Sequence, residues 1–274
     1  MPVPYPFADL PLARQLERTE ARANAAFVTS RARLQPDSGA TWQEVAGAYA
    51  MFDGVGSPLT QTFGLGLFEA VTDEHLQQLE EFFGSRGAEV FHEISPLAGP
   101  SLLARLAERG YRPVEVSSVL FRPTELAVAP SAHPDSGLRV RQTGRDEARL
   151  WARTAAEGWC SEAPDLVDFM LELGEISAGA DQVFCFLAEK DGQPIAAGSL
   201  SLGEGVALLA GASTVPEGRK LGAQRALLEA RLRFAAEQGY PLAMIATEPG
   251  SASQRNAERQ GFRIAYTRTK WHRV

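Results

Sequence analysis

The sequence predicts a duplicated α/β (α+β) fold, with apolar extended runs and amphipathic helical segments alternating in two successive series. Three observations carry this expectation. The alternation occurs on both sides of a Pro/Gly/Ser-rich stretch from Pro123 to Gly137. Ala107-Glu108-Arg109-Gly110-Tyr111-Arg112 echoes Ala257-Glu258-Arg259-Gln260-Gly261-Phe262-Arg263 with a one-residue slip, and Gly99 and Gly250 precede Gly110 and Gly261 by equal distances. Asp53-Gly54 and Asp191-Gly192, both turn signals, hold similar places in the two series.

In the first series, Leu12, Leu16, Ala23 and Phe27 recur at helical spacing and predict a helix over Ala8–Arg33. Extended segments follow at Ala48–Phe52 and Thr60–Ala70, separated by the turn-rich Asp53-Gly54-Val55-Gly56-Ser57-Pro58. Asp73 is placed to cap a helix running to Phe83 and stopped by Gly84. Ala88–Ile94 reads as a strand, Pro100–Arg109 as a helix ended by Gly110, and Val114–Phe121 as a strand. Pro123, Pro130 and Pro134 mark the stretch that follows as a linker, dividing the chain into domains 1–130 and 131–274.

The second series opens with a strand at Leu138–Arg141 and helices at Arg145–Glu157 and Pro164–Leu173. Val183–Ala188 and Ile195–Leu202 form a hairpin about Asp191-Gly192. Val206–Thr214 is a strand that feeds a glycine-bearing loop and then a helix over Lys220–Gln238, whose apolar face draws on Leu221, Leu227, Leu228, Leu232, Phe234 and Ala235. The charges of Glu229–Glu237 read as its solvated face. Leu242–Thr247, Ser251–Arg259 and Phe262–Trp271 complete the series as strand, helix and strand.

Composition bounds the function. Of the 274 residues, 45 % are hydrophobic and 22 % charged, which describes a soluble globular protein. A formal net charge of -7 argues against a nucleic-acid partner. With no signal peptide and no long apolar span, the expectation is a cytoplasmic protein without a membrane partner, its Cys160 and Cys185 reduced. His75, His92, His133 and His272 are scattered, so no metal site is expected.

The chemistry concentrates in Thr214-Val215-Pro216-Glu217-Gly218-Arg219-Lys220-Leu221-Gly222-Ala223-Gln224-Arg225. A loop that opens a helix exposes unpaired N–H groups at the positive end of the helix dipole, which suits a pyrophosphate. Arg219, Lys220 and Arg225 add positive charge there. The first series lacks such a loop: Phe68-Glu69-Ala70-Val71-Thr72 leads into Asp73 and Glu74, which would repel an anion.

From Leu138 to about Trp271 the sequence resembles the GNAT superfamily of acyl-CoA-dependent N-acyltransferases. The resemblance rests on the order of elements, the loop pattern Arg-x-x-Gly-x-(Gly/Ala) met by Arg219 to Gln224 except at its last position, and the terminal helix followed by Gly261-Phe262. It implies two GNAT-like units, each a mixed, mostly antiparallel twisted sheet flanked by helices, the first a degenerate repeat without cofactor. It implies acetyl-CoA as cofactor and CoA as product. Ser213, Thr214 and Val215 would pair with the pantetheine arm, Arg219, Lys220, Leu221, Gly222, Ala223 and Gln224 would hold the pyrophosphate, and Ser253 or Asn256 would reach the cofactor from the terminal helix. Trp159 would line the site of a small-molecule or protein amine acceptor.

The family's tyrosine acid falls four residues before Gly261, where this chain has Ala257. Tyr266 and Tyr240 are the tyrosines left in this half, and Tyr266 is the candidate acid; Glu157, Glu162, Glu204, Glu248 or a water relay could serve as base. The first half would shape the acceptor pocket, cover the sheet or form a homodimer interface. A non-catalytic acyl-CoA-binding regulatory module stays open as the alternative function, and aminoacyl transfer from tRNA is a third reading that the acidic balance opposes.

Overall fold

A computed structural model describes residues 4–125, 137–160 and 166–274. Most of the expected linker therefore lies outside the described residues. The chain forms two compact units, a central one of residues 123–243 and a terminal one of residues 4–122 and 244–274. This differs from the expected division at 130/131, because the last helix and strand belong with the first part of the chain.

In the terminal unit, helix α1 spans Leu10–Leu34, and strands β1 (Thr41–Val45), β2 (Ala48–Phe52) and β3 (Gln61–Phe63) precede helix α2 (Asp73–Gly84). Strand β4 (Phe91–Ile94), helix α3 (Pro100–Glu108) and strand β5 (Tyr111–Pro123) follow. The chain returns from the central unit with β10 (Leu242–Thr247), helix α7 (Ala252–Arg259) and β11 (Arg263–Arg273). The sheet order is β1-β2-β3-β4-β11-β5-β10. β3 and β4 are parallel, and β11 runs antiparallel between β4 and β5.

β2 is buried along its whole length because both faces are covered. Ala48, Ala50 and Phe52 pack with Leu76, Leu79 and Phe83 of α2, while Tyr49 and Met51 pack with Ala21, Ala25 and Val28 of α1. Thr72, not Asp73, caps α2: its hydroxyl accepts from the His75 N–H at 3.3 Å, and the His75 ring accepts from the Thr72 N–H at 3.3 Å. The expected extended run Thr60–Ala70 shrinks to three residues. Gly64 and Gly66 both adopt positive φ, and a Cβ on Gly66 would lie 2.5 Å from a Leu102 methyl. Asp53-Gly54 opens the long loop that joins the antiparallel pair β2 and β3, where Asp53 is buried and paired with Arg31.

The central unit is a four-stranded antiparallel sheet in the order β9-β8-β7-β6, with β6 at Leu138–Gln142, β7 at Val183–Lys190, β8 at Gln193–Gly203 and β9 at Val206–Thr214. Asp191 and Gly192 take φ of +52° and +79°, as the two-residue hairpin between β7 and β8 requires. Helices α4 (Ala148–Trp159) and α5 (Val167–Ala178) cover one face through Trp151, Ala152 and Ala155 against Cys185, Leu187 and Ala197. Helix α6 (Ala223–Glu237) covers the other, where Phe234 meets Phe184 and Phe186. Cys185 sits in this core as expected, and burial pushes its thiol up to about 12. Among the described residues no helix is long and apolar enough to cross a membrane, and none of the His, Cys, Asp and Glu side chains are grouped as a metal site.

Candidate functional site

β9 ends at Thr214 and a single turn, Pro216–Gly218, leads to the start of α6. Gly218 is buried against β8: a Cβ there would lie 2.8 Å from Cβ of Ile195. Lys220 and Gly222 both take positive φ, +64° and +85°. Gly222 is the N-cap of α6, and no side chain caps the helix. The first intrahelical acceptor is the Gly222 carbonyl, bonded by Ala226 N–H at 3.0 Å, so Ala223 and Gln224 have no carbonyl one turn earlier in the helix. Arg219, Lys220, Leu221 and Gly222 are exposed. The start of α6 thus offers backbone donors, a dipole end and cations in one place. α2 offers the opposite: its N-terminus is capped by Thr72, and Asp73 is held by Arg105 at 2.8 Å.

Gln224, the atypical residue of the loop, donates its side-chain amide to the Thr214 hydroxyl at 2.7 Å and so ties α6 to the end of β9. The Ser213 hydroxyl is spent inside the unit, donating to the Ala155 carbonyl at 2.8 Å. The Val215 N–H donates to the Ile195 carbonyl of β8 at 3.0 Å. Alternation along an antiparallel ladder then turns the backbone groups of Val215 and Ser213 toward β8 and those of Thr214 away from it. Of the three residues expected to pair with a pantetheine arm, Thr214 alone presents its backbone at the edge away from β8.

Trp159 lies at the C-terminal end of α4 and is 56 % exposed, so it is not held by packing. Glu157 is exposed on the same helix, and Glu204 sits at positive φ in the turn between β8 and β9. Glu162 lies outside the described residues.

Ser253, Asn256, Tyr266 and Glu248 belong to the terminal unit. Ser253 and Asn256 are exposed on α7, and Ala257 is buried there. Tyr266 corrects the expectation of a free acid. It is buried in β11 and its hydroxyl donates to Glu17 Oε1 at 2.9 Å, inside a cluster in which Arg268 binds Glu17, Glu20 and Glu93. Burial first, then the Glu17 charge, hold its pKa well above the ordinary tyrosine value, so a proton leaves this oxygen only at high cost.

Arg231 is a core residue that the sequence does not reveal as one. Read as part of a solvated helix face, it is 3 % exposed and lies under β8 and β9. Its spacing of four residues from Leu227 and from Ala235 was the available signal, since both are core positions.

An uncapped helix start with a left-handed glycine at the end of a sheet strand is a geometry that suits an anion. The sequence model of the acetyltransferase (GNAT) family matches residues 146–262, a span that covers the loop. No curated protein sequence matches the chain. Among solved structures, a GCN5-related N-acetyltransferase from Kribbella flavida is similar over 90 % of this chain and 95 % of that one, at 18 % identity and TM-score 0.64. A tandem GNAT protein from the clavulanic acid biosynthesis pathway is similar over 96 % of this chain and 94 % of that one, at 14 % identity and TM-score 0.57. A GCN5-related N-acetyltransferase from Sphaerobacter thermophilus is similar over 82 % of this chain and 76 % of that one, at 17 % identity and TM-score 0.55. At these identities the likeness is one of fold, and the fold is the mixed, mostly antiparallel α/β arrangement expected.

Proposed function

We propose that the chain is an N-acetyltransferase that uses acetyl-CoA and delivers the acetyl group directly to an amine, with the cofactor held by the central unit and the first repeat degenerate. The observation that carries the reading is the uncapped start of α6 behind Gly222. The space there suits a pyrophosphate: a Cβ at Gly222 would meet nothing closer than a Leu138 methyl at 3.9 Å, and Arg219 and Lys220 are exposed beside it. When bound, acetyl-CoA supplies a thioester carbonyl that a neutral amine can attack.

The chain's part is binding, orientation and polarisation. Thr214 offers its backbone to the amide groups of the pantetheine arm, and Gln224 keeps the strand end and the helix start in register. Holding amine and thioester together can supply about 7–11 kcal/mol of the barrier. Exposed β9 backbone donors at the acyl oxygen add an electrostatic contribution. Trp159 contributes an exposed apolar surface for a small-molecule or protein amine. A cytoplasmic setting belongs to the same reading.

Titration calorimetry of acetyl-CoA tests it. The wild type should bind in the micromolar range, and Arg219→Glu combined with Gly222→Asp should weaken binding by about 100-fold or more while the circular dichroism spectrum is unchanged, since both changes set negative charge or bulk against phosphate. No binding at high micromolar concentration sinks the proposal. A non-catalytic acyl-CoA-binding module is the second reading, favoured by the engaged Tyr266 hydroxyl and by Ala257. Tight binding without thioester consumption across a broad amine panel would decide for it.

A further inference from the structure

Arg231 is a buried cation with no buried anion beside it. It shares the sheet-facing side of α6 with Leu227 and Ala235, where the helical repeat calls for an aliphatic residue. Its Nε donates to the Leu227 carbonyl at 3.2 Å, and its Nη1 donates to the carbonyls of Ser199 at 2.9 Å and Ala210 at 3.2 Å. Among the described residues no carboxylate pairs with it. Burial lowers its pKa to about 10, which leaves it charged at neutral pH. Taking an ion out of water without a counter-ion is costly, and a leucine here would avoid that cost.

The contacts converge on the one break in the β8–β9 ladder. Pairing is regular from Gly203↔Val206 to Ser199↔Ala210 and resumes at Ala197↔Ser213, so Gly198 alone stands opposite Gly211 and Ala212. This is a two-against-one bulge. Gly198 makes room for the guanidinium, since a Cβ there would lie 3.0 Å from Arg231 Cζ. Gly211 takes φ of +60°, backed by Ser199 Oγ and the Trp151 ring. The Ala210 carbonyl receives a second donor, the Ser199 hydroxyl, at 3.2 Å. In a trans peptide the C=O and N–H point opposite ways, so the Gly211 N–H of the same peptide points away from Arg231 and Ser199. Drawing density onto the Ala210 oxygen strengthens that N–H as a donor. Ala210 and Gly211 are both exposed.

We propose that Arg231 is a positioning residue for acyl transfer: it clamps the β9 bulge and polarises the Ala210–Gly211 peptide, so that the Gly211 N–H is a preset donor to the acyl oxygen of a bound thioester. The assignment rests on the acyl-CoA reading of the α6 loop. It explains why a charge is kept at a core position, and it acts through the backbone without touching substrate.

The test is the infrared carbonyl band of acetyl-CoA, isotope-labelled at the acyl carbon and bound to wild type, Arg231→Met and Arg231→Lys, with calorimetry on the same samples. Wild type should lower the band relative to free acetyl-CoA. Arg231→Met should bind within about threefold of wild type yet lose most of that shift, and should lower kcat about tenfold on any amine that turns over, with KM for acetyl-CoA nearly unchanged. Arg231→Lys restores the charge and should recover most of the shift, which a purely packing role would not produce. Should the methionine variant fail to fold, Arg231→Gln supplies the neutral comparison. An unshifted band in wild type, or a wild-type band in the neutral variant, overturns the role of Arg231 while acetyl-CoA binding stands. Absence of binding to wild type overturns the acyl-CoA reading and this assignment together.

Discussion

Glu93 and His92 are consecutive residues of β4, and burial acts on them in opposite senses. His92 is fully buried, its Nε2 3.1 Å from the Tyr111 hydroxyl, and burial pulls it down to about 3. Glu93 faces the other side of the sheet, and burial pushes it up to about 7 although Arg268 and Lys270 pull it back. Glu17 is raised as well, by burial first. For Glu93 the folded state holds a proton that the unfolded state releases near the ordinary value of 4.5, so its contribution is complete below that pH and is lost as pH rises to about 7. His92 works the other way, its contribution present above 6.5 and lost as pH falls toward 3. Glu93→Gln removes only the first effect. The variant should therefore gain on the wild type by up to about 1.4 kcal/mol per pH unit between pH 4.5 and 7, with a level difference above that. Urea unfolding of both proteins from pH 4.5 to 8.5 measures it, and a difference independent of pH would mean that Glu93 is ionised throughout.

At the scale of elements, the close seat of α4 on β9 depends on Gly158. A Cβ there would lie 2.8 Å from both Cβ of Ser213 and the backbone N of Thr214, neither of which can swing aside. Gly158→Ala should destabilise the central unit by about 1–3 kcal/mol, read as a lowered urea midpoint. It should also weaken acetyl-CoA binding, because Thr214 is the strand end that Gln224 grips; an unchanged midpoint would show that α4 slides freely on the sheet. Elements with an unbroken apolar run between turn residues were legible in the sequence: β2, β9 and β10 have the expected bounds. β1 was not, because Thr41-Trp42-Gln43-Glu44 is an edge strand with alternating exposure and little apolar signal. The loop that opens α6 was legible from its glycines and cations. The buried charges were not: Glu17, Glu20 and Arg231 stand at helix positions that read as solvated, and only tertiary partners hundreds of residues or several strands away make them core.

On the scale of the molecule, the swap of the last strand decides what can fold alone. The pattern of repeats suggests that residues 1–130 are a domain, but β4 and β5 are both paired with β11, a strand from the other end of the chain. β11 also brings the cations that face the buried carboxylates Glu17, Glu20 and Glu93. Arg268 lies 2.6 Å from Glu20, 3.2 Å from Glu17 and 3.2 Å from Glu93, and without it these carboxylates are buried with Lys270 gone as well. Removing one partner of a buried pair costs about 3–5 kcal/mol. Against a whole-domain stability of about 5–15 kcal/mol, losing Arg268 together with the ladder to β4 and β5 leaves nothing to hold the sheet. A fragment of residues 1–130 should therefore be unfolded at neutral pH by circular dichroism and amide proton dispersion. Adding a peptide of residues 244–274 should restore native-like dispersion, and the same peptide with Arg268→Met should fail to do so. A fragment of 1–130 that folds cooperatively by itself would show that the first repeat carries its own complete core and that β11 merely adds to it.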